Sequence, residues 1–142
     1  MKIYKANKRG FLLVIALFLL IPFVVFWFLE TNRFLTLLIL SIPLFLLLWI
    51  YFDTSYKIDG TTLLYRSAFI RGKIDIHSIH QITVGKTMWS GIKPALAKNG
   101  LILKYNAYDE IYIAPVSNAE LVADLLVINP QIKIIETTLI SG

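Results

Sequence analysis

Two apolar runs of nineteen residues, FLLVIALFLLIPFVVFWFL at 11–29 and FLTLLILSIPLFLLLWIYF at 34–52, are separated by the four residues ETNR. As a helix, each run reaches about 28 Å, close to the roughly 30 Å of a bilayer's hydrocarbon core. Sixteen residues of the first run and fourteen of the second are Leu, Ile, Val or Phe. Insertion is then favoured by roughly 4 to 10 kcal/mol per run, as an upper bound. Pro22 and Pro43 each remove one backbone hydrogen bond near mid-run, which bilayer helices tolerate when a neighbour covers the freed carbonyl.

A cleaved signal peptide does not fit the first run. It is too long for a signal core, and Phe28, Leu29 and Glu30 offer no small-residue cleavage site. A soluble core helix would rarely be apolar on every face. The runs therefore predict a transmembrane hairpin over 11–52, with ETNR as its outer turn. No ionisable side chain lies within either run, and Thr36 and Ser41 can bond their own helices' carbonyls. That argues for an anchor over a transport pathway.

Charge sets the expected orientation. Lys2, Lys5, Lys8 and Arg9 give the first ten residues a charge of +4, most of the whole chain's +5. Lys57, Arg66, Arg71 and Lys73 follow the second run, whereas the connecting turn holds only Arg33. Cytoplasmic loops carry the excess of Lys and Arg, so both termini are expected inside a bacterial cytoplasmic membrane. The basic excess reads as a topology signal, and nucleic acid is not an expected partner. The chain has no cysteine, which excludes disulfides, thiol catalysis and Cys-based metal sites.

From Asp53 onward the hydrophobic period changes. TSYKIDG runs into TTLLYRSAFI through Asp59-Gly60, a hairpin signal of the kind type I′ turns produce. RGKIDIHSIHQITVGK continues the alternation, with Gly72 expected to mark another turn, and LILKY and EIYIAPV flank a four-residue loop, NAYD. SNAELVADLLVINP then opens with Ser117 and Glu120 in capping-box spacing and sets Leu121, Val122, Leu125 and Leu126 on one face, with Asp124 opposite. Asn129-Pro130 ends that helix, and QIKII is a short final strand or an extension. The expected organisation is a basic flank (1–10), a hairpin with spans 11–29 and 34–52, a β-rich domain of about six strands (53–136) with a helix over 117–128, and a tail (137–142).

The stretches TSYKIDGTTLLYRSAFIRGKIDIHSIHQI, KPALAKNGLILKY and EIYIAPVSNAELVADLL resemble the bacterial pleckstrin-homology-like family of small membrane-anchored proteins. Pro94, Ala95 and Leu96 match a Pro-Ala-Leu-Ser step of that family; Ala97 stands in place of the serine. The resemblance implies an α+β membrane-anchored chain whose PH-like antiparallel split barrel is closed by a C-terminal helix. It does not transfer phosphoinositide binding.

Little in the sequence points to catalysis. His77 and His80 supply two potential metal ligands where a zinc site needs three or four, and Ser78 between them points to the opposite face of an extended chain. No nucleophile elbow or phosphate-cradling glycine loop occurs. Neither an enzyme nor a bound cofactor is expected. The longest irregular stretch, GKTMWSGIKPALAKNG at 85–100, carries the candidate contact residues Lys86, Met88, Trp89, Ile92, Lys93 and Lys98. Its lysines could attract anionic lipid and Trp89 could anchor a partner. Alternatively Met88, Trp89 and Ile92 cover the open end of the barrel.

The expected function is a non-enzymatic, membrane-anchored binding or scaffold module on the cytoplasmic face, its partner a membrane protein, a peptide or lipid head groups. An immunity-type protein that intercepts a toxic peptide, or an accessory subunit of a transporter or envelope enzyme, are the alternatives. The oligomeric state is left open.

Overall fold

A computed structural model describes residues 1–28, 32–88 and 95–136. After a short N-terminal strand come two long helices, α1 (Phe11–Phe28) and α2 (Arg33–Asp53), both long and apolar enough to cross a membrane. Only Ile15 of α1 is buried, and no residue of α2 is. The start of α2 has a local reason. Asn32 caps α2, its side-chain oxygen accepting from the backbone N–H groups of Phe34 and Leu35 at 3.2 and 3.4 Å. As expected, Thr36 and Ser41 donate to carbonyls of their own helix, those of Asn32 and Leu38. Pro22 and Pro43 lie inside their helices.

Among the described residues the rest of the chain forms eight strands and one α-helix, α3 (Asn118–Ile128). β1 (Lys2–Lys5), β2 (Ser55–Asp59), β3 (Thr62–Ser67) and β4 (Ile70–Asp75) make one antiparallel sheet in that order. The second sheet has the order β7 (Asp109–Ile113), β6 (Leu101–Tyr105), β5 (Ile79–Val84), β8 (Lys133–Glu136), with β8 parallel to β5. QIKII thus ends in a strand. The expected split barrel with its closing helix is present as a PH-like sheet domain with α3, but the strands form two sheets that do not close into a barrel. Among the described residues they are joined by one isolated bridge, Ala6 to Pro115, flanked by hydrogen bonds from Asn7 to Ala114 (2.7 Å) and from Val116 to Lys5 (2.9 Å).

Inward residues of both sheets meet in one core. Tyr56, Leu63, Ile76, Ile79, Ile82, Leu103 and Ile111 are fully or almost fully buried, and Leu121 and Leu125 of α3 pack onto them. Each such aliphatic side chain contributes about 1.5–3 kcal/mol when removed from water. The capping box forms at its first bond, Glu120 N–H to Ser117 Oγ at 3.2 Å. At the other end buried Asn129 donates to the carbonyls of Ile76 and Ile79, both at 3.1 Å, and so ties the helix end to a single 3-10 turn (Ile76–Ser78) before β5.

Three turns differ in detail from expectation. Asp59 pairs with Thr62, so the first hairpin turns on Gly60-Thr61, with positive φ at Gly60 and not at Asp59. That is the II′ pattern, which needs glycine at the first central position only. Gly72 is no turn residue. It sits inside β4 opposite Tyr65, whose ring covers it and leaves no room for a Cβ. The chain turns instead at Ala68-Phe69, with Ala68 at a φ of 52°. Asp109 pairs with Tyr105, which shortens the NAYD loop to three residues, and Asn106 Nδ2 donates to Asp109 at 2.9 Å.

A candidate binding surface at the helix-proximal end

β1 leads into α1 and α2 leads into β2, so the paired strands β1 and β2 hold the start of α1 and the end of α2 side by side at one sheet. Thr54 caps α2: its N–H and its Oγ1 both go to the carbonyl of Ile50, and its hydroxyl shares a 2.8 Å bond with Ser67 of β3. Arg66 reaches Asp53 at 2.8 and 2.9 Å. Phe11 stacks on Tyr51 with centroids 6.1 Å apart, and Lys8 lies 4.3 Å over the Tyr51 ring. With links this short, the domain sits directly on the helix ends.

The register sorts the charges along the strands. The helix-proximal row of the first sheet's outer face is Lys5, Ser55, Arg66, Arg71; the next is Ile3, Lys57, Leu64, Lys73. The far row holds Asp59, Thr62 and Asp75. Lys57, Arg66, Arg71 and Lys73 line a shallow groove of about 480 Å³ around Leu64.

Residues 85–88 and 95–100 lie at the same end, because Val84 pairs with Leu101 and Leu101 with Ile113, just before the Pro115 bridge. Tyr112 organises it. Its buried hydroxyl donates to the Ala97 carbonyl at 2.6 Å and accepts from Gly100 N–H at 3.0 Å. Burial raises the Tyr112 pKa. Gly85 N–H bonds the Gly100 carbonyl at 2.9 Å, and Asn99 is held from both sides, by Thr87 and Asn118, each at 2.9 Å.

Of the candidate contact residues, Lys86 and Lys98 are exposed, whereas Met88 is buried with Ala97, Ile102, Tyr112 and Ala114 in a small second core. Trp89, Ile92 and Lys93 lie outside the described residues. Lys98 is brought beside the start of α1. Arg9, Phe11, Val14, Leu96, Lys98 and Asn99 line a cleft of about 750 Å³, cationic at its rim and apolar along the helix.

His77 and His80 are exposed at the far end, and Asp75 caps the 3-10 turn by accepting from His77 N–H at 3.0 Å. Among the described residues no three His, Asp or Glu side chains come together as a metal-binding set.

Sequence reasoning missed the role of the N-terminus. The basic flank is also an edge strand. Lys2 bonds Glu120 and Asp124 of α3 at 2.9 and 2.6 Å, and the Tyr4 hydroxyl donates to Asp124. The alternation of Tyr4 and Ala6 with lysines is the only local signal for it.

A model of the bacterial PH domain matches residues 54–129, just over half of the chain. The chain belongs to the bacterial PH domain family. Neither a curated protein nor a solved structure matches it. The match spans β2 to the end of α3, so the first strand of the PH-like sheet comes from outside it, supplied across the helical hairpin.

Proposed function

We propose that this protein is a non-enzymatic, membrane-anchored binding or scaffold module, with its bacterial PH domain held on the cytoplasmic face of the membrane and both termini inside. The observation that carries the reading is the exposure of α1 and α2: two helices of 18 and 21 residues, apolar on every side, bury a single residue between them. In water such surfaces would aggregate; in a bilayer they are solvated. The positive charge beside their inner ends supports the orientation. The PH-like fold supports binding, and the pinned loop with Lys98 supports the helix-proximal end as the contact surface for a membrane protein, a peptide or lipid head groups.

The absence of cysteine makes the test direct. In intact cells, cysteine placed at Thr31 is expected to react with an impermeant reagent, and cysteine at Thr61 only after lysis. A photo-crosslinker attached at Lys98→Cys in intact membranes is then expected to capture a defined partner. Labelling at 61 without lysis would overturn the orientation, and full-length protein that stays in solution without detergent would overturn the anchor.

A further inference from the structure

The β3–β4 hairpin ends in Ala68-Phe69, and Phe69 is 65% exposed at a two-residue tip. Directly behind the tip, Arg66 and Arg71 face each other across neighbouring strands. Like charges in that relation destabilise a sheet unless something anionic lies between or beside them. Asp53 partners Arg66, and Arg71 reaches the Ala68 carbonyl at 3.2 Å. Lys57 and Lys73 stand one two-residue step further out, about 7 Å along the strands. The acids Asp59 and Asp75 lie at the far edge. The face is thus graded, basic toward the helices and acidic away from them. Its basic end is level with the last turn of α2, through Asp53–Arg66 and Thr54–Ser67.

We propose that this hairpin is a second membrane-contact element: Phe69 enters the interfacial layer, and the Arg66–Arg71 pair takes up anionic phospholipid head groups. The inference rests on the reading that α1 and α2 span the bilayer, and it names a contact of the PH domain distinct from the 85–100 loop. An aromatic ring favours the interface, and each cation near an anionic surface adds about 1 kcal/mol of attraction, which decays within a Debye length of about 8–10 Å. Lys57 and Lys73 fall inside that range, whereas the far acids, a further two-residue step out at about 14 Å, fall beyond it, so the gradient holds the domain upright against the lipid. A polypeptide ligand would have no reason to select a gradient that runs along the strands away from the helix ends.

The test uses full-length protein in lipid vesicles with an environment-sensitive fluorophore on a single introduced cysteine. At Phe69→Cys the probe is expected to shift to the blue when phosphatidylglycerol is added to phosphatidylcholine. Arg71→Gln is expected to weaken that docking about fivefold. Lys133→Gln, at the far end, leaves it unchanged, and salt near 1 M abolishes it. The same probe at Ser41→Cys reports the anchor separately. If position 41 reports hydrocarbon while position 69 reports water in both lipids, the proposal fails and the anchor stands. If position 41 reports water, both fail. Shielding at position 69 by polyglutamate in detergent, with no response to phosphatidylglycerol, would assign the face to an acidic polypeptide and overturn the proposal.

Discussion

The Tyr4 hydroxyl donates to the Asp124 carboxylate across 120 residues of sequence, joining a strand that precedes the helical hairpin to a helix that follows the last antiparallel strand. Lys2 bonds the same carboxylate oxygen. The PH-like domain is therefore held together by residues on both sides of the hairpin.

Removing that hydroxyl is expected to loosen the link. Tyr4 is almost fully buried, and a hydrogen bond to a charged group that is itself partly exposed contributes about 1 kcal/mol. Tyr4→Phe should lower the melting temperature of the detergent-solubilised protein by about 4–8 °C. An unchanged midpoint would show that β1 is held by its backbone pairing alone.

The link should also respond to acid. The Lys2 ammonium, and then the Tyr4 hydroxyl, hold the Asp124 carboxyl below its ordinary range. A depressed carboxyl stabilises the folded state above the unfolded value, about pH 4, and loses that contribution as pH falls through the folded value. Burial and the bond to Asp124 raise Tyr4 to about 12, and Asp124 also raises Lys2. Their contributions persist below about pH 10 and fade only above it. A spin label at Ile3→Cys is expected to stay immobile from about pH 5 to 9 and to gain mobility below about pH 4. In Asp124→Asn the acid transition should vanish.

Two glycines should rank in a definite order. A Cβ at Gly100 would strike the backbone carbonyl of Ile113, which cannot move without breaking the second sheet, whereas at Gly72 it would meet the tip of the Tyr65 ring. Gly100→Ala should cost about 2–3 kcal/mol and Gly72→Ala about 1 kcal/mol. Equal losses in thermal unfolding would contradict the packing described for β6 and β7.

Asn129→Leu tests the other end of α3. It leaves the carbonyls of Ile76 and Ile79 buried without their amide donor, a loss of about 2–3 kcal/mol. Hydrogen exchange should speed first at the 3-10 turn and the start of β5; protection unchanged there would rule out a tethering role.

Tyr112→Phe removes the hydroxyl that serves both Ala97 and Gly100. The turn carrying Lys98 should loosen, so that crosslinking from position 98 spreads over several products. A product pattern identical to that of the parent protein would mean the turn is held by Thr87 and Asn118.

The hairpins around Gly60 and Asn106 and the helix opened by Ser117 were legible in the sequence because each signal is local: a turn glycine, an Asx side chain beside its own backbone, a capping pair three residues apart. Gly72 misled because a glycine under a cross-strand ring and a glycine in a turn look alike until the partner strand is known. The candidate contact set was only partly legible. Lys98 was named from its loop and lies exposed, but the Arg66–Arg71 pair was read as topology charge, since nothing in the order of residues says that positions 66 and 71 stand side by side.

By itself the sequence established two long helices apolar on every face and a β-rich domain with one helix after them, since apolar runs and period changes act through nearest neighbours along the chain; that this domain is PH-like rested on the resemblance. Only the tertiary structure decided that Lys2–Lys5 is the first strand of that domain, that two sheets meet at Ala6 and Pro115 without closing, and that one sheet face is graded from basic to acidic. The first two depend on backbone pairing between segments about 50 to 110 residues apart, and an edge strand of four residues carries no pattern of its own that names its partner; the third depends on the register of neighbouring hairpins, which a one-residue slip would scramble.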